Sequence, residues 1–377
     1  MPQPDFSQRQ YFPGTTGNRF DVILHGAVIF QRIPAFLFAV LLFFIAALAA
    51  RFHWYYAFGL WGFFLVDWGL IASLPHAGKS YGPSKPPVLV LAIMRSLFAL
   101  LPVYIALPAE VIGTVLVVYA FWIEPHRIIL THQALITKKL KPGSSIKILH
   151  LGDLHVERIT AREKQLAGLI NAVQPDVILF SGDILNLSYL KDVQAQQDAR
   201  SVMSQWAAPN GVYVVNGSPA VDLVEDFPNL IEDLPLHWLR DERLTLNLRG
   251  QPIDLVGITN THNPFIDGPK LAVLTNPPSE HFTILLYHTP DLAPISALQG
   301  IDLQLSGHTH GGQVRLPFIG ALFTGSLYGK RFEAGRIQVG EMTLYITRGI
   351  GLEGAAAPRV RFLCPPEVIL WEITGQA

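Results

Sequence analysis

The first third of the chain carries very little charge, and this constrains the fold more than any other feature. Of the 28 basic and 29 acidic residues, only 12 fall within the first 124 positions. Segments of about 20 apolar residues are long enough to cross a bilayer. Four apolar segments follow one another there, at Arg32–Arg51, Trp54–Leu74, Val88–Leu107 and Val111–Ile123. We therefore predict an N-terminal α-helical membrane domain at residues 1–124 with four transmembrane helices, rather than a soluble helical bundle.

Two charged residues, Asp67 and Arg95, lie inside the second and third apolar segments. Charge within a membrane is costly unless it is paired. One interpretation is an ion pair between two helices, and the other is an Arg95 side chain that extends to the membrane interface. Both interpretations are open from the sequence, and two such groups are too few to indicate a transporter.

Basic residues predict the orientation of the membrane domain. With four spans, nine basic residues lie on one face of the membrane and only Arg51 lies on the opposite face. The face with more basic residues is normally cytoplasmic. The nine residues are Arg9, Arg19, Arg32, Lys79, Lys85, Arg127, Lys138, Lys139 and Lys141. We therefore predict a multi-pass protein of a bacterial inner membrane, with its C-terminal domain on the cytoplasmic face. Three spans would place that domain outside.

The rest of the chain has the pattern of an α/β domain. Residues 125–144 are predicted to be a linker, broken by Lys141-Pro-Gly-Ser, and residues 145–377 a compact domain in which strands alternate with helices. Thr160 and Glu163 form a capping box at the start of one helix. The predicted strands are Ile146–Leu151, Asp176–Phe180, Gly211–Val215, Ile253–Ile258, Phe282–Leu286, Ile301–Leu305, Met342–Ile346 and Val368–Ile373.

Acidic and imidazole side chains follow four of these strands, where ligands of α/β sheets gather. They are Asp153, His155, Asp183, His288, His308 and His310. These two carboxylates and four imidazoles are too many for one tetrahedral metal with an open position. Two cations about 3.5–4 Å apart, sharing a carboxylate, would use all six. Mixed nitrogen and oxygen ligands suit Mn, Fe or Zn, so we predict two divalent cations without choosing among these metals.

The same segments resemble the calcineurin-like metallophosphoesterases, in particular the bacterial branch with N-terminal membrane anchors or export signals. The matching blocks are Gly152–His155, Ser181–Asp183, Tyr287-His288 and the very specific Ser306–Pro317, within a resemblance that covers about Ser145–Thr374. The resemblance implies a four-layer α/β fold, in which two packed mixed sheets are flanked by helices. It implies that Asp153, His155 and His310 hold one metal ion, that His288 and His308 hold the other, and that Asp183 bridges them. Asp183 and His308 are the predicted catalytic residues.

One departure from the family pattern concerns the third strand. The family has Gly-Asn-His there, whose asparagine ligates the second metal ion and whose histidine contacts the scissile phosphate. This chain has Gly217-Ser-Pro-Ala220 instead. The proline stands at the position of the family's histidine and, unlike histidine, cannot act as an acid. Ser218 would be a poor ligand, so either Asn216 or Asp222 supplies the missing oxygen after a change of loop register, or the second metal site is weakened and the chemistry is slower.

Three other residues have weaker assignments from the sequence. Arg315 is interpreted either as a phosphate ligand or as a solvated turn residue, and His262 as a surface residue rather than a cleft residue. Cys364, the single cysteine, excludes an internal disulfide and is interpreted as a packing residue.

The implied function is hydrolysis of phosphomonoester, phosphodiester or pyrophosphate bonds by a membrane-anchored, dinuclear-metal-dependent enzyme. Because the domain is tethered close to the bilayer, we expect an amphipathic substrate such as a phospholipid or a nucleotide-linked lipid. The alternative is a catalytically impaired membrane sensor or scaffold that binds metal and phosphate. A net charge of −1 gives no reason to expect a nucleic-acid partner, and nothing in the sequence indicates an oligomeric state.

Overall fold

The computed structural model describes residues 19–376, with an N-terminal group of helices followed by a domain of two large sheets. The described chain contains the α-helices α1 (Arg19–Ala27), α2 (Ala35–Ala49), α3 (Trp54–Ala72), α4 (Lys85–Ser96), α5 (Val103–Val118), α6 (Ala161–Val173), α7 (Val193–Met203), α8 (Phe227–Ile231), α9 (Pro264–Leu274) and α10 (Ala293–Ser296). Its strands are β1 (Ile129–Thr137), β2 (Ser145–Leu151), β3 (Val177–Phe180), β4 (Val212–Val214), β5 (His237–Trp238), β6 (Glu242–Leu248), β7 (Gln251–Gly257), β8 (Phe282–Leu286), β9 (Leu303–Ser306), β10 (Arg315–Leu316), β11 (Gly320–Ala321), β12 (Gly335–Val339), β13 (Met342–Ile346) and β14 (Glu367–Gly375).

The N-terminal helices include elements of membrane-spanning length. Helix α3 and the helical run Val103–His126 are each long and apolar enough to cross a bilayer. The pair Val22–Arg32 and Ala35–Ala49, bent by 110°, would make a third span if it acts as one unit. By length and composition the described chain therefore offers two or three spans.

The structure differs from the four-span prediction at the third apolar segment, Val88–Leu107. Helix α4 has 12 residues and continues as a 3-10 helix over Leu97–Leu100, together about 26 Å of helix against about 30 Å of bilayer core. The chain then becomes extended at Leu101, because the following Pro102 disfavours helical geometry in the residue before it. This segment is therefore not one continuous span, and the number of spans stays a prediction.

Arg95 pairs with acidic residues of two other helices. Its guanidinium lies 2.6 Å from Asp67 Oδ2 and 2.6 Å from Glu110 Oε2, and it donates to Thr114 Oγ1 at 3.0 Å. All three charged side chains are buried. The ion-pair interpretation of Asp67 and Arg95 is therefore confirmed, and the pairing extends to Glu110. It links α3, α4 and α5 in a place where an unpaired charge would be strongly destabilising.

The first sheet has the strand order β1-β14-β2-β3-β4-β5. Strands β2 to β5 are parallel, β14 is antiparallel to β2, and β1 is parallel to β14. Strand β1 lies inside residues 125–144, which were predicted to be a linker. Its residues pair with β14 from Ile129 with Glu367 to Thr137 with Gly375. The sheet thus begins earlier in the chain than the predicted domain boundary at Ser145.

The second sheet has the order β12-β13-β9-β8-β7-β6 and is also mixed, with a parallel centre and antiparallel edges. It packs face to face with the first sheet through side chains such as Ile148 and Leu179 from one sheet and Leu255 and Ile284 from the other. Helices α6 and α7 cover the outer face of the first sheet, and α9 and α10 that of the second. The predicted pair of packed mixed sheets with flanking helices is confirmed.

The functional edge of the domain follows from this topology. Strands β2, β3 and β4 run parallel in one sheet, as do β7, β8 and β9 in the other, so within each sheet their carboxyl ends open at one edge. The loops that leave them are hydrogen-bonded to one another, for example Asp153 N to Gly182 O at 2.9 Å and Gly307 N to His288 O at 2.8 Å. The predicted capping box of α6 is also present, with Thr160 N donating to Glu163 at 2.8 Å.

Candidate metal centre

Six side chains that the sequence singled out meet at this edge. Asp153 and His155 follow β2, Asp183 follows β3, His288 follows β8, and His308 and His310 follow β9. Groups of these residues place their ligand atoms within 4.8 Å of one another, namely Asp153 with His155 and His310, and Asp153 with Asp183 and His288. The structure therefore brings together residues that lie up to 157 positions apart in the chain.

The first group is centred on two imidazoles. His155 Nε2 lies 3.0 Å from His310 Nε2, and His155 Nε2 lies 3.5 Å from Asp183 Oδ2. The Oδ2 atom of Asp153 is buried and has no hydrogen-bond partner among the described residues. Nitrogen and oxygen lone pairs that converge in this way, with a buried oxygen left over, fit a divalent cation.

Asp183 stands between the two groups. Its Oδ2 atom is 3.5 Å from His155 Nε2 and 3.3 Å from His288 Nε2, which belong to different groups. A carboxylate in this position can offer an oxygen to each of two cations. This geometry agrees with the predicted bridging role of Asp183.

The ligands are oriented by hydrogen bonds to the backbone. His288 Nδ1 lies 2.8 Å from the Ser181 carbonyl, so it donates there and leaves Nε2 directed toward Asp183. Asp153 Oδ1 accepts from the backbone N–H of His308 at 2.8 Å, which joins the loops after β2 and β9. Contacts of this kind fix the tautomer and the ring orientation of metal ligands.

Backbone strain is concentrated at the same residues. Five of the six candidate ligand residues have positive φ angles, although none is glycine: Asp153 (49°), His155 (44°), Asp183 (62°), His308 (72°) and His310 (51°). Left-handed conformations of non-glycine residues cost of order 1–3 kcal/mol each and cluster at functional sites. The strain therefore supports a functional role for the five residues together.

Burial and charge shift the pKa values of individual side chains in the site in opposite directions. Burial alone would lower the pKa of His288, but the Asp183 carboxylate raises it to about 9. Burial, together with the charge on His288, lowers the pKa of His308 to about 3. Burial also raises the pKa of Asp153 to about 6. A proton is thus held between His288 and Asp183, in a position where a cation would replace it on binding.

Comparison with known proteins identifies the family. Over 268 residues the chain is 30% identical to the uncharacterized metallophosphoesterase YkuE of Bacillus subtilis, and the match covers 68% of this chain and 88% of YkuE. The chain belongs to the metallophosphoesterases. It is therefore a metal-dependent phosphoric ester hydrolase.

Two further relatives carry names that specify a reaction. This chain is 28% identical over 236 residues to phosphodiesterase YaeI of Escherichia coli, and the match covers 61% of this chain and 83% of YaeI. It is 23% identical over 328 residues to the UDP-2,3-diacylglucosamine pyrophosphatase LpxG of Chlamydia muridarum, covering 71% of this chain and 95% of LpxG. No protein-family model matches the chain.

The loop after β4 holds the three residues considered as replacements for the family's asparagine. Ser218 reaches the site, with Oγ 3.1 Å from His288 Nε2, 3.5 Å from His308 Nδ1 and 3.2 Å from Asp183 Oδ2. The Asp222 carboxylate instead accepts backbone N–H groups, including those of Asp183 at 2.7 Å and Ile184 at 3.1 Å. Asn216 is buried, and its Oδ1 atom has no hydrogen-bond partner among the described residues. Of Ser218 and Asp222, Ser218 is the one whose side chain faces the candidate metal ligands.

His262 is a site residue that the sequence analysis placed wrongly. It is buried rather than on the surface, and its ring centroid lies 4.6 Å from that of His308 and 5.9 Å from that of His288. Its ligand nitrogen lies within 4.8 Å of theirs. The available signal was its position: it follows β7, the parallel neighbour of β8, so it leaves the sheet at the ligand-bearing edge.

The structure also places the other two residues with weak assignments. Arg315 is half-buried, and its guanidinium pairs with Glu333 at 2.5 Å and donates to Gly311 O at 3.2 Å, while a phosphate contact stays a prediction. Cys364 is buried with Sγ 3.3 Å from His310 O, as expected of a packing residue.

A cavity of about 330 Å³ opens from the metal ligands. Asp183, Ser218, His308 and His310 line its inner part, and apolar side chains line much of the rest. The apolar lining comes from three parts of the chain, with Val314, Leu322 and Phe323 near β10 and β11, Pro358 and Val360 before β14, and Leu24 of α1.

Proposed function

We propose that this metallophosphoesterase is membrane-anchored and uses two divalent cations to hydrolyse phosphomonoester, phosphodiester or pyrophosphate bonds. The observation that carries the proposal is that two carboxylates and four imidazoles, most of them buried, form overlapping groups at one edge of the two sheets. Asp183 would bridge the cations, since its Oδ2 lies between His155 and His288.

The remaining ligands divide between the two cations by their positions. Asp153, His155 and His310 would hold the first, and His288 and His308 the second. A pair of Mn, Fe or Zn ions supplies Lewis acidity and a water whose pKa falls toward neutral pH. The chain itself contributes rigid ligand loops and a buried setting, in which charge on the phosphoryl oxygens interacts strongly with the site.

The substrate we propose is an amphipathic phosphoester, such as a phospholipid or a nucleotide-linked lipid. Support comes from the cavity, which is polar at the metal ligands and apolar toward Leu24 of the N-terminal helices. The relative LpxG is named for a substrate with two acyl groups, which agrees with this class. An acyl chain along the apolar lining would leave the phosphate at the ligands.

The membrane anchoring and the cytoplasmic orientation belong to the same proposal. Two or three described segments have the length and composition of spans. The orientation rests on the predicted four spans, for which nine of ten basic residues lie on the face of the catalytic domain and make it cytoplasmic. Reporter fusions after Lys141 and within the Arg51–His53 turn would test the orientation. The proposal expects cytoplasmic activity for the first fusion and periplasmic activity for the second.

Turnover and metal content, measured together, test the hydrolase. Full-length protein in detergent, loaded with Mn²⁺ or Zn²⁺, should hydrolyse a generic aryl phosphodiester. The variant His308→Ala should lower turnover by more than about 100-fold, because loss of a ligand exceeds the 10–100-fold effect of supporting residues. His132→Ala, an exposed histidine on β1, is the matched control and should retain activity.

One observation favours the alternative function, a sensor that binds metal and phosphate without turnover. Ser218-Pro219 stands where the family has an asparagine ligand and a phosphate-contacting histidine. Stoichiometric metal binding by the wild-type protein, without turnover of any aryl, lipid or nucleotide phosphate, would favour the sensor over the enzyme.

A further inference from the structure

Three imidazoles, not two, surround the second cation position. Nitrogen atoms of His262, His288 and His308 lie within 4.8 Å of one another, close enough for small side-chain rotations to bring them onto one metal ion. His262 contributes to this group from the loop after β7, whereas the other two follow β8 and β9. The sequence motifs assign no role to His262.

The loop that carries His262 is held firmly. The Asn260 side chain accepts from His262 N at 3.1 Å and donates to Gly217 O at 3.0 Å, which ties it to the loop after β4. Asp267 accepts from both Thr261 N and Thr261 Oγ1 at 2.9 Å. His262 itself has a φ of 61°, like the five strained ligand residues. Such strain persists only where the surroundings impose it, and it marks functional positions.

The neighbouring loop after β4 offers only oxygen donors. Asn216 Oδ1 is buried and has no hydrogen-bond partner among the described residues, but an amide oxygen, like a hydroxyl, is a weaker donor than imidazole for transition metals. Ser218 Oγ lies among the ligands, but a neutral hydroxyl is a weaker donor than an imidazole nitrogen for transition metals. Asp222 is engaged by the backbone N–H groups of Asp183, Ile184 and Gly217. His262 is the nitrogen donor that can complete the coordination of this position.

We propose that His262 is a ligand of the second cation, in place of the missing asparagine. This inference rests on the proposed dinuclear function. The second position then has three imidazole nitrogens and the Asp183 carboxylate, a nitrogen-rich set that favours Zn²⁺ over Mn²⁺. The first position, with two imidazoles and two carboxylates, is the more tolerant of Mn²⁺.

Metal binding to the full-length protein tests this proposal without relying on activity. The metal-stripped protein in detergent is titrated calorimetrically with Zn²⁺ and with Mn²⁺, and bound metal is counted by elemental analysis. The wild-type protein should bind two Zn²⁺ ions. His262→Ala should keep one tight site and lose at least about 100-fold in affinity at the other, while His132→Ala should match the wild type.

Two further variants extend the test, and the first of them, His262→Asn, keeps it decisive if His262→Ala folds poorly. His262→Asn replaces a nitrogen donor by an amide oxygen and should shift the weaker site toward Mn²⁺, lowering the Zn²⁺ to Mn²⁺ affinity ratio about tenfold or more. Adding Ser218→Asn to His262→Ala should restore part of the lost affinity. The absorption spectrum of bound Co²⁺ should change in both variants, because its ligand field depends on the donor set.

The outcomes separate the two proposals. If the wild-type protein binds two cations and both His262 variants keep the same affinities, metal preference and Co²⁺ spectrum, His262 is not a ligand and the dinuclear hydrolase stands. If the wild-type protein binds no cation, the proposed function itself fails.

Discussion

The Asp222 carboxylate organises two of the ligand loops at once. Its Oδ2 accepts from Asp183 N at 2.7 Å and from Gly217 N at 2.8 Å, and its Oδ1 accepts from Ile184 N at 3.1 Å. In Asp222→Asn, one oxygen becomes an NH₂ group that faces backbone donors. The bridging residue Asp183 should then lose its orientation, with a fall of about 10–100-fold in metal affinity and turnover.

The measurement for Asp222→Asn is metal titration together with turnover of an aryl phosphodiester. Glu225→Gln is the matched control, since Glu225 is exposed on the same loop and the charge change is identical. Unchanged affinity and turnover in Asp222→Asn would show that the backbone alone holds the two loops.

His150 gives a prediction for stability at low pH. Burial lowers the pKa of His150 to about 3, and its Nε2 lies 3.1 Å from Ser181 Oγ. In the unfolded chain His150 takes up a proton below its ordinary pKa of about 6.5. In the folded chain the His150 ring stays neutral until about pH 3. Above about pH 6.5 the titration of His150 does not change the free energy of unfolding. Between about pH 6.5 and pH 3 it lowers the free energy of unfolding by about 1.4 kcal/mol for each pH unit that the pH falls.

His150→Gln keeps a hydrogen-bonding group near Ser181 but cannot take up the proton. Its apparent melting temperature should fall less than that of the wild type between pH 7 and pH 5. The comparison isolates His150, because burial also lowers the pKa of His308 to about 3 and both proteins retain that residue. Equal falls in the two proteins would contradict the prediction.

At the scale of elements, local pattern predicted the core strands and the capping box but not β1. Strands β3 and β8 are short, apolar and buried, and β2 and β9 have apolar residues at alternate positions, so local pattern reveals all four. Strand β1 alternates between half-buried and exposed residues, and its partner β14 lies more than 200 positions away. An edge strand stabilised by such a distant partner has no local signal strong enough to separate it from a linker.

The site shows the same division between local and distant information. Its six motif residues were predictable because each directly follows a strand. His262 follows β7 at a comparable distance, but it belongs to none of the matching sequence blocks, and the folded loop places it beside His288 and His308. The role of Asp222 in orienting the loop of Asp183 could not be predicted either, because it depends on backbone N–H groups of another loop.

The hairpin formed by β10 and β11 is an exposed apolar element beside the cavity. Phe318 and Ile319 at its tip are exposed, as is Leu322, while Leu322 also lines the cavity that reaches Leu24. Burying one such side chain in a bilayer yields about 1.5–3 kcal/mol, or at least tenfold in partitioning. The hairpin is therefore expected to hold the cavity mouth against the membrane surface.

The double variant Phe318→Ser with Ile319→Ser tests this expectation. It should lower turnover of a phospholipid in vesicles by about tenfold and leave turnover of a soluble aryl phosphodiester unchanged. Leu298→Ser removes an equally exposed apolar side chain after α10 and should affect neither substrate. An equal loss on both substrates would assign the hairpin a structural role only.

At the scale of the whole molecule, the N-terminal helices are packed against the catalytic domain rather than attached by a loose tether. Glu124, just after α5, accepts the backbone N–H groups of Leu363, at 2.9 Å, and of Cys364, at 2.5 Å. Tyr81, in the connection between α3 and α4, donates its backbone N–H to Glu157 at 2.9 Å. Because Leu363 and Cys364 adjoin the double-histidine loop, the helices and the metal ligands are linked by a short path of contacts.

The position of β1 makes the domain boundary testable with two fragments that both lack the membrane helices. Residues 127–377 retain β1, whereas residues 145–377 follow the boundary predicted from sequence and expose the edge of β14 along its paired length. The shorter fragment should unfold at a lower urea concentration or aggregate. Leu130→Asp in the longer fragment should reproduce part of that loss, because Leu130 packs against the core beneath α6 and α7. Equal unfolding midpoints for the two fragments would mean that β1 adds nothing to the stability of the sheet, and the boundary at Ser145 would then stand.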